Sequence, residues 1–263
     1  MIIRMEEDFG TKLFVRSGNK LTLTGAGRIL LKQSSKALVA MEIAKDEIES
    51  RRRLEAGVLA IGSSHMLTHY YLLPALKTFR EKTPNVSIHM ENAGILETVR
   101  CLLDERIELG IVTTPYGSTG GIEFLPFAEM EDVFAAGERF IELKDQTVSM
   151  RDLARHPIIA MKEGRITRTY QEKCFASRGV VLKPAMVCDM MALTIDFAEA
   201  GLGIGWVCDQ VVRQSIAAGM RIFPVRLDRP LPSRKVGIIK RAGVELSLPA
   251  KHFLEALGIK PAS

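Results

Sequence analysis

Residues 24–53, TGAGRILLKQSSKALVAMEIAKDEIESRRR, contain no proline, and their only glycines fall in the first turn. Leu30, Ser34, Ala37, Met41, Ala44 and Ile48 recur at alternating spacings of four and three, the period of a helix seam rather than of a broad core-facing stripe. Leu31 and Leu38 widen that seam on one side, while Lys32, Lys36, Lys45, Asp46 and Glu49 lie off it. A helix of about 29 residues extends roughly 43 Å, more than a small domain needs to cover its own core. Two arrangements satisfy the pattern. The helix packs along its own chain, or it pairs with its twin in a second subunit through Leu30, Ala37, Met41, Ala44 and Ile48. The second is expected here, as a homodimer or a dimer of dimers, because small residues in the seam suit a modest two-chain contact.

The segment before this helix is short and basic. Ile2, Ile3, Met5 and Phe9 give a helical stripe that Gly10 stops. Lys12–Arg16 and Lys20–Leu23 then read as two strands joined by Ser17-Gly18-Asn19, a turn-forming run. A helix followed by a basic hairpin is half of a winged helix-turn-helix. Arg4, Arg16, Lys20 and Arg28 suit phosphate contact, and a formal net charge of +5 fits a nucleic-acid partner without requiring one.

From Val58 the pattern alternates. Strands are expected at Val58–Gly62, Val86–Met90 and Leu109–Thr113, with helices at Tyr71–Lys82 and Ile95–Glu105 between them. Such βαβαβ order makes a mostly parallel sheet with helices on its faces. A second unit opens at Phe134-Ala135-Ala136. It is expected to hold helices Met150–Arg155, Thr167–Arg178 and Met191–Ala200, and strands Ile158–Met161, Ala185–Asp189 and Ile204–Val207. Strand Val236–Lys240 and helix Pro249–Leu257 return to the first unit. The reading is an α/β protein: a remnant head at 1–23, a linker helix at 24–53, and a two-lobed domain at 57–263. Lobe I takes in about 57–130 and 232–263, and lobe II about 131–231.

Arg4-Met5-Glu6-Glu7-Asp8-Phe9-Gly10, then Leu13-Phe14-x-Arg16, then Leu21-Thr22-Leu23-Thr24-x-Ala26-Gly27 leading into the long helix, resembles the LysR-type transcriptional regulators. The resemblance runs to the C-terminus. It implies the end of a recognition helix, a wing, a dimerising linker helix, and an effector-binding domain similar in shape to periplasmic solute-binding proteins. Two helices and the start of the recognition helix precede this stretch in the family, so the residues given supply the DNA reader only in part.

In open parallel sheets, ligands lie beyond the strand C-termini, where helix N-terminal amides point outward. Ser63-Ser64-His65-Met66, Thr113-Thr114 and Glu163–Arg168 are such loops. The resemblance implies Ser64, Met66, Arg165, Ile166 and Thr167 as effector contacts. Thr113 joins them from its strand end, and Ser63 and Ile166 offer backbone amides. The alternative is that Ser63 and Ser64 merely cap a helix. The family often has proline and then threonine or serine where this chain has His65 and Met66, so its contacts need not transfer. Arg165 and Arg168 beside a helix N-terminus point to a small organic anion as effector, unless Arg168 only decorates a solvated helix face.

Other motifs reduce to structure. The run Ala200-Gly201-Leu202-Gly203-Ile204-Gly205 ends a helix and enters a strand, the reverse of a dinucleotide fingerprint, so it reads as a tight turn. The four cysteines form no CxxC pair and the five histidines no HExxH spacing; no metal and no cofactor is expected. No serine sits in a GxSxG elbow, and the chain is not read as an enzyme. No apolar run is long enough to span a bilayer, and acidic residues in MIIRMEEDFG stand where a secretory signal would be apolar; a cytoplasmic protein with no membrane partner is expected. The function expected is transcription regulation at promoter DNA under control of a small molecule. The alternatives are a stand-alone effector-binding, dimerising protein without specific DNA binding, and a solute-binding protein.

Overall fold

The computed structural model describes residues 2–17, 20–52, 57–117 and 120–259, with the side chains of 16, 17, 20 and 46–52 outside the description. The head comprises α1 (Ile2–Asp8), β1 (Phe14–Ser17) and β2 (Lys20–Leu23), followed by α2 (Gly25–Arg52). The strands form an antiparallel hairpin with Ser17 opposite Lys20. Glu6 ties α1 to this hairpin, accepting from the Leu13 amide at 2.9 Å, the Phe14 amide at 3.3 Å and Lys12 Nζ at 2.7 Å. Lys12 and these amides hold the Glu6 carboxyl below its ordinary value. Thr24 caps α2 by accepting from the Gly27 amide at 3.0 Å, and its own hydroxyl donates to the Lys12 carbonyl at 2.7 Å.

The long helix presents two faces. Lys32 pairs with Asp104 at 3.1 Å. Ser35, Val39 and Ile43 line a groove of about 1320 Å³ shared with the following domain. At about 100° per residue, the seam residues Ala37, Met41 and Ala44 lie on the opposite side. They are exposed, Met41 by 69%, while Leu30 is half-buried; the Ile48 side chain lies outside the described residues. Both arrangements drawn from the sequence therefore have a face of their own.

The domain continues as β3 (Val58–Ser63), α3 (His65–Leu67), a π turn (Thr68–Leu72), α4 (Leu73–Lys82), β4 (Ser87–Asn92), α5 (Ile95–Leu103), β5 (Leu109–Thr113) and β6 (Ile122–Met130). The chain then crosses to β7 (Asp132–Gly137), a 3-10 segment (Glu138–Leu143), β8 (Thr147–Val148), α6 (Met150–Leu153), β9 (Ile158–Met161) and α7 (Ile166–Ala176). β10 (Pro184–Cys188), α8 (Met191–Glu199), β11 (Ile204–Cys208), α9 (Asp209–Ala217) and β12 (Ile222–Leu227) follow. β13 (Arg234–Arg241) and α10 (Leu248–Ala256) return to the first sheet. The sheet orders are β4-β3-β5-β13-β6 for lobe I and β10-β9-β11-β7-β12-β8 for lobe II. In lobe I, β4 and β5 flank β3 in parallel, and β13 inserts antiparallel between β5 and β6. Trp206 fills the core of lobe II, edge-on to Phe134 at 5.1 Å. Phe79 and Phe253 meet edge-on at 5.7 Å where α10 packs on α4.

Three departures from the sequence reading have physical causes. The helix expected at Tyr71 is already helical from His65, through a π turn. Its buried residues Leu67, Leu72, Ala75 and Phe79 are spaced five, three and four apart; the widened turn keeps Leu72 in the core and breaks the 3.6 period on which the expectation rested. β6 was not expected because Pro126 interrupts it. It is a sheet edge, where proline is tolerated, and the register with β13 shifts between Val236 and Gly237, where Gly237 faces Pro126. α9 and β12 were also not expected; they complete lobe II. The glycine run is the turn expected, with Gly201 at φ 71 ending α8.

Candidate ligand-binding cleft

The two lobes are docked, not merely tethered. One apolar cluster takes in residues of both, among them Leu67 and Leu72 from lobe I and Ile195, Cys208 and Val211 from lobe II. Met66 half-buries itself at this junction, its Sδ 3.9 Å from the Cys208 Sγ. Burial pushes the Cys208 thiol up to about 11.

Beneath the cleft the two crossovers are pinned together. Asp132 begins β7 just after the first crossing, and Arg234 begins β13 just after the second. Arg234 Nη2 lies 2.6 Å from Asp132 Oδ1, and the two side chains are 4% and 0% exposed. Arg234 Nη1 donates to Thr113 Oγ1 at 3.2 Å, and the guanidinium lies 5.0 Å from the centroid of the Tyr170 ring. Tyr170 in turn donates to the Pro232 carbonyl at 3.0 Å and meets Trp206 edge-on at 6.0 Å. Burial, the larger influence, pushes the Asp132 carboxyl up, and Arg234 pulls it back. Asp132 Oδ2, Arg234 Nε and Trp206 Nε1 are buried with no hydrogen-bond partner among the described residues.

At the mouth, Arg165 occupies the N-cap of α7 without a capping side-chain bond. Its Nε donates to Asp189 Oδ1 at 3.0 Å, its Nη2 lies 3.0 Å from the same oxygen, and Lys162 Nζ is 3.9 Å from Oδ2. The guanidinium reaches across to lobe I. A Cβ added to Gly94 would lie 2.6 Å from Arg165 Nη1, so the end of the guanidinium lies directly against the Gly94 backbone. Gly94 is itself the N-cap of α5, again without a capping side chain. Two helix N-termini, one from each lobe, thus converge on a single arginine. Ile166 supports the crossing, its Cδ1 3.8 Å from the Cβ position of Gly117.

The residues expected in the site divide accordingly. Arg165, Ile166 and Thr167 open α7 and are each partly exposed. Ser63 pairs with Asn92, and its carbonyl accepts from the Ala93 amide at 3.0 Å, which sets this strand end beside Gly94. Ser63 is buried and its hydroxyl donates to the Ser64 carbonyl at 3.3 Å. Ser64 caps α3, accepting from the Leu67 amide at 3.4 Å, so the capping alternative holds for Ser64 and not for Ser63. Thr113 is 3% exposed, with its hydroxyl engaged by Arg234. Arg168 is a correction to both readings given for it. It is neither at the mouth nor on a solvated face: it is 5% exposed, donating to the Met161 carbonyl at 3.0 Å and to Glu172 at 2.8 Å.

Asp132, Arg234 and Asp189 are the polar residues that sequence reasoning missed. Asp132 and Arg234 stand 102 positions apart with no motif between them. Asp189 follows the C-terminus of a parallel strand, and the rule that identified the other loops applies to it equally. Elsewhere, Arg4 on the head and Arg28 in the first turn of α2 are exposed, while the Arg16 and Lys20 side chains lie outside the described residues. All four cysteines are buried and free. Among the described residues no group of three or more His, Cys, Asp or Glu is placed to hold a metal ion, and no helix is long and apolar enough to cross a membrane.

Comparison with known proteins agrees with this architecture. The transcriptional regulator CysB of Burkholderia cenocepacia is 25% identical over 227 residues, covering 85% of this chain and 72% of that protein. The structure of full-length CbnR with its target DNA superposes with a TM-score of 0.76 at 20% identity, covering 97% of this chain and 86% of that one. The effector-binding domain of BenM with benzoate superposes with a TM-score of 0.63 at 21% identity, covering 78% of this chain and 91% of that one. Residues 52–259 match the family described as the LysR substrate binding domain, and the chain belongs to the LysR family of transcriptional regulators.

Proposed function

We propose that the cleft of this LysR-type regulator senses a small organic anion and that α2 carries the response to a DNA-binding head. The observation that bears most weight is Arg165. It stands at the uncapped N-terminus of α7 and reaches to the uncapped N-terminus of α5 on the opposite lobe. Guanidinium and free helix amides all favour negative charge, and an anion held there would bridge the lobes. Arg165 and Thr167 are assigned to the anionic group, with Ile166, Ser64 and Met66 around the body of the ligand. Ser63 contributes backbone, and Thr113 acts from below through Arg234. Benzoate-bound BenM and DNA-bound CbnR support the same division of labour. A thermal-shift screen of carboxylates, sulfate and phosphate against matched neutral amides and alcohols tests the assignment. Anions are expected to raise the melting temperature; stabilisation by neutral compounds alone contradicts it.

Promoter contact is assigned to Arg4, Arg16, Lys20 and Arg28, and dimerisation to the exposed seam of α2. Met41→Lys places like charges across a two-fold seam, so the variant is expected to sediment as a smaller species than the parent. Equal sedimentation removes the seam assignment.

A further inference from the structure

We propose that Asp189 is a resident counter-ion of the cleft: its carboxylate holds the Arg165 guanidinium until a ligand carboxylate takes its place, so the site admits anions that outcompete one aspartate. This rests on the anion-sensing reading above and adds a residue that competes with the ligand.

The geometry of the pair carries the inference. Asp189 sets one oxygen against two guanidinium nitrogens, accepting from Nε at 3.0 Å and lying 3.0 Å from Nη2. Its other oxygen has only Lys162 nearby, at 3.9 Å. Arg165 Nη1 lies against Gly94 and is not one of the nitrogens that Asp189 engages. A guanidinium fork binds a carboxylate best through two parallel N–H···O bonds, one to each oxygen. A ligand approaching the guanidinium from its solvent side can take Nη1 and Nη2 in that way, one oxygen to each, whereas Asp189 as placed engages Nε and Nη2 through one oxygen. The side chains of Arg165 and Asp189 are 43% and 47% exposed, so the resident pair is weak enough to exchange. When the ligand leaves, Asp189 neutralises an arginine that would otherwise face two helix N-termini of the same sign.

The test is calorimetric titration of benzoate and succinate, with benzamide as neutral control, into the full chain and its Asp189→Asn and Asp189→Glu variants. In Asp189→Asn the competitor is gone, and carboxylate Kd is expected to fall by about twofold to fivefold, the worth of an exposed ion pair. Benzamide is expected to be unaffected, and Asp189→Glu to behave as the parent. Circular dichroism and Trp206 emission matching the parent show that the fold is kept. Equal carboxylate affinity in parent and Asp189→Asn overturns the inference while leaving anion sensing in place. Weaker binding in Asp189→Asn also overturns it, because Asp189 then positions Arg165 for the ligand. If carboxylates bind none of the three proteins, the inference falls together with the reading on which it rests.

Discussion

Two of the arginine–aspartate pairs in the domain, one at the floor of the cleft and one at its mouth, have opposite surroundings. Arg234–Asp132 is closed off, with side chains 4% and 0% exposed and a 2.6 Å contact. Arg165–Asp189 is open, with side chains 43% and 47% exposed and contacts of 3.0 Å. The same chemistry does different work in the two settings. A desolvated pair is held in place by the cost of separating buried charges, so it fixes where the two crossovers meet. A solvated pair is screened and close to neutral in free energy, so it leaves its arginine free to change partner. One pair sets the relative position of the lobes; the other leaves the gap between them able to respond.

The sharpest way to break this contrast is to remove each arginine in turn. Arg234→Met strands the Asp132 charge in the interior and is expected to cost about 3 to 5 kcal/mol of folding stability. Arg165→Met is expected to cost under about 1 kcal/mol. Urea denaturation of both variants measures the difference. Similar losses in the two would mean that burial does not separate the pairs.

A smaller effect sharpens the floor. Cys208 faces Asp132 across the β11–β7 register, and burial, reinforced by Asp132, pushes its thiol up to about 11 from 9.0. In the unfolded chain the thiol ionises near its ordinary value, whereas in the native chain it stays protonated. The raised native value therefore contributes stability that is present below pH 9 and lost as pH rises towards 11. At 1.36 kcal/mol per unit the loss is about 2 to 3 kcal/mol. Cys208→Ala is expected to flatten the decline in urea midpoint between pH 9 and 11. Parallel curves for variant and parent would show that water reaches the floor.

The sequence made the mouth more legible than the floor. Arg165, Ile166 and Thr167 follow a buried strand and open a helix, a local pattern that any parallel sheet places at its ligand edge. Arg168 sits three residues further on and turns inward to the Met161 carbonyl, and no spacing rule separates it from Arg165. The floor depends on residues brought together only by the double crossover, and Asp132 and Arg234 each look like an ordinary charged residue at a strand start. The 4-3 spacing proposed as the seam of α2 could be read because its period is local. The face that lines the groove with lobe I was not, since Lys32, Ser35, Val39 and Ile43 are polar and apolar in turn and acquire a common role only beside Asp104 and its neighbours.

If an anion enters the cleft by taking Arg165 from Asp189, a crystal structure of the chain with the carboxylate that stabilises it most will show the exchange. The ligand carboxylate is expected at charge-assisted hydrogen-bond distance, about 2.7 to 2.9 Å, from Arg165 Nη1 and Nη2, with Asp189 released and Arg234–Asp132 unchanged. A ligand bound elsewhere, with Arg165 still on Asp189, would contradict it.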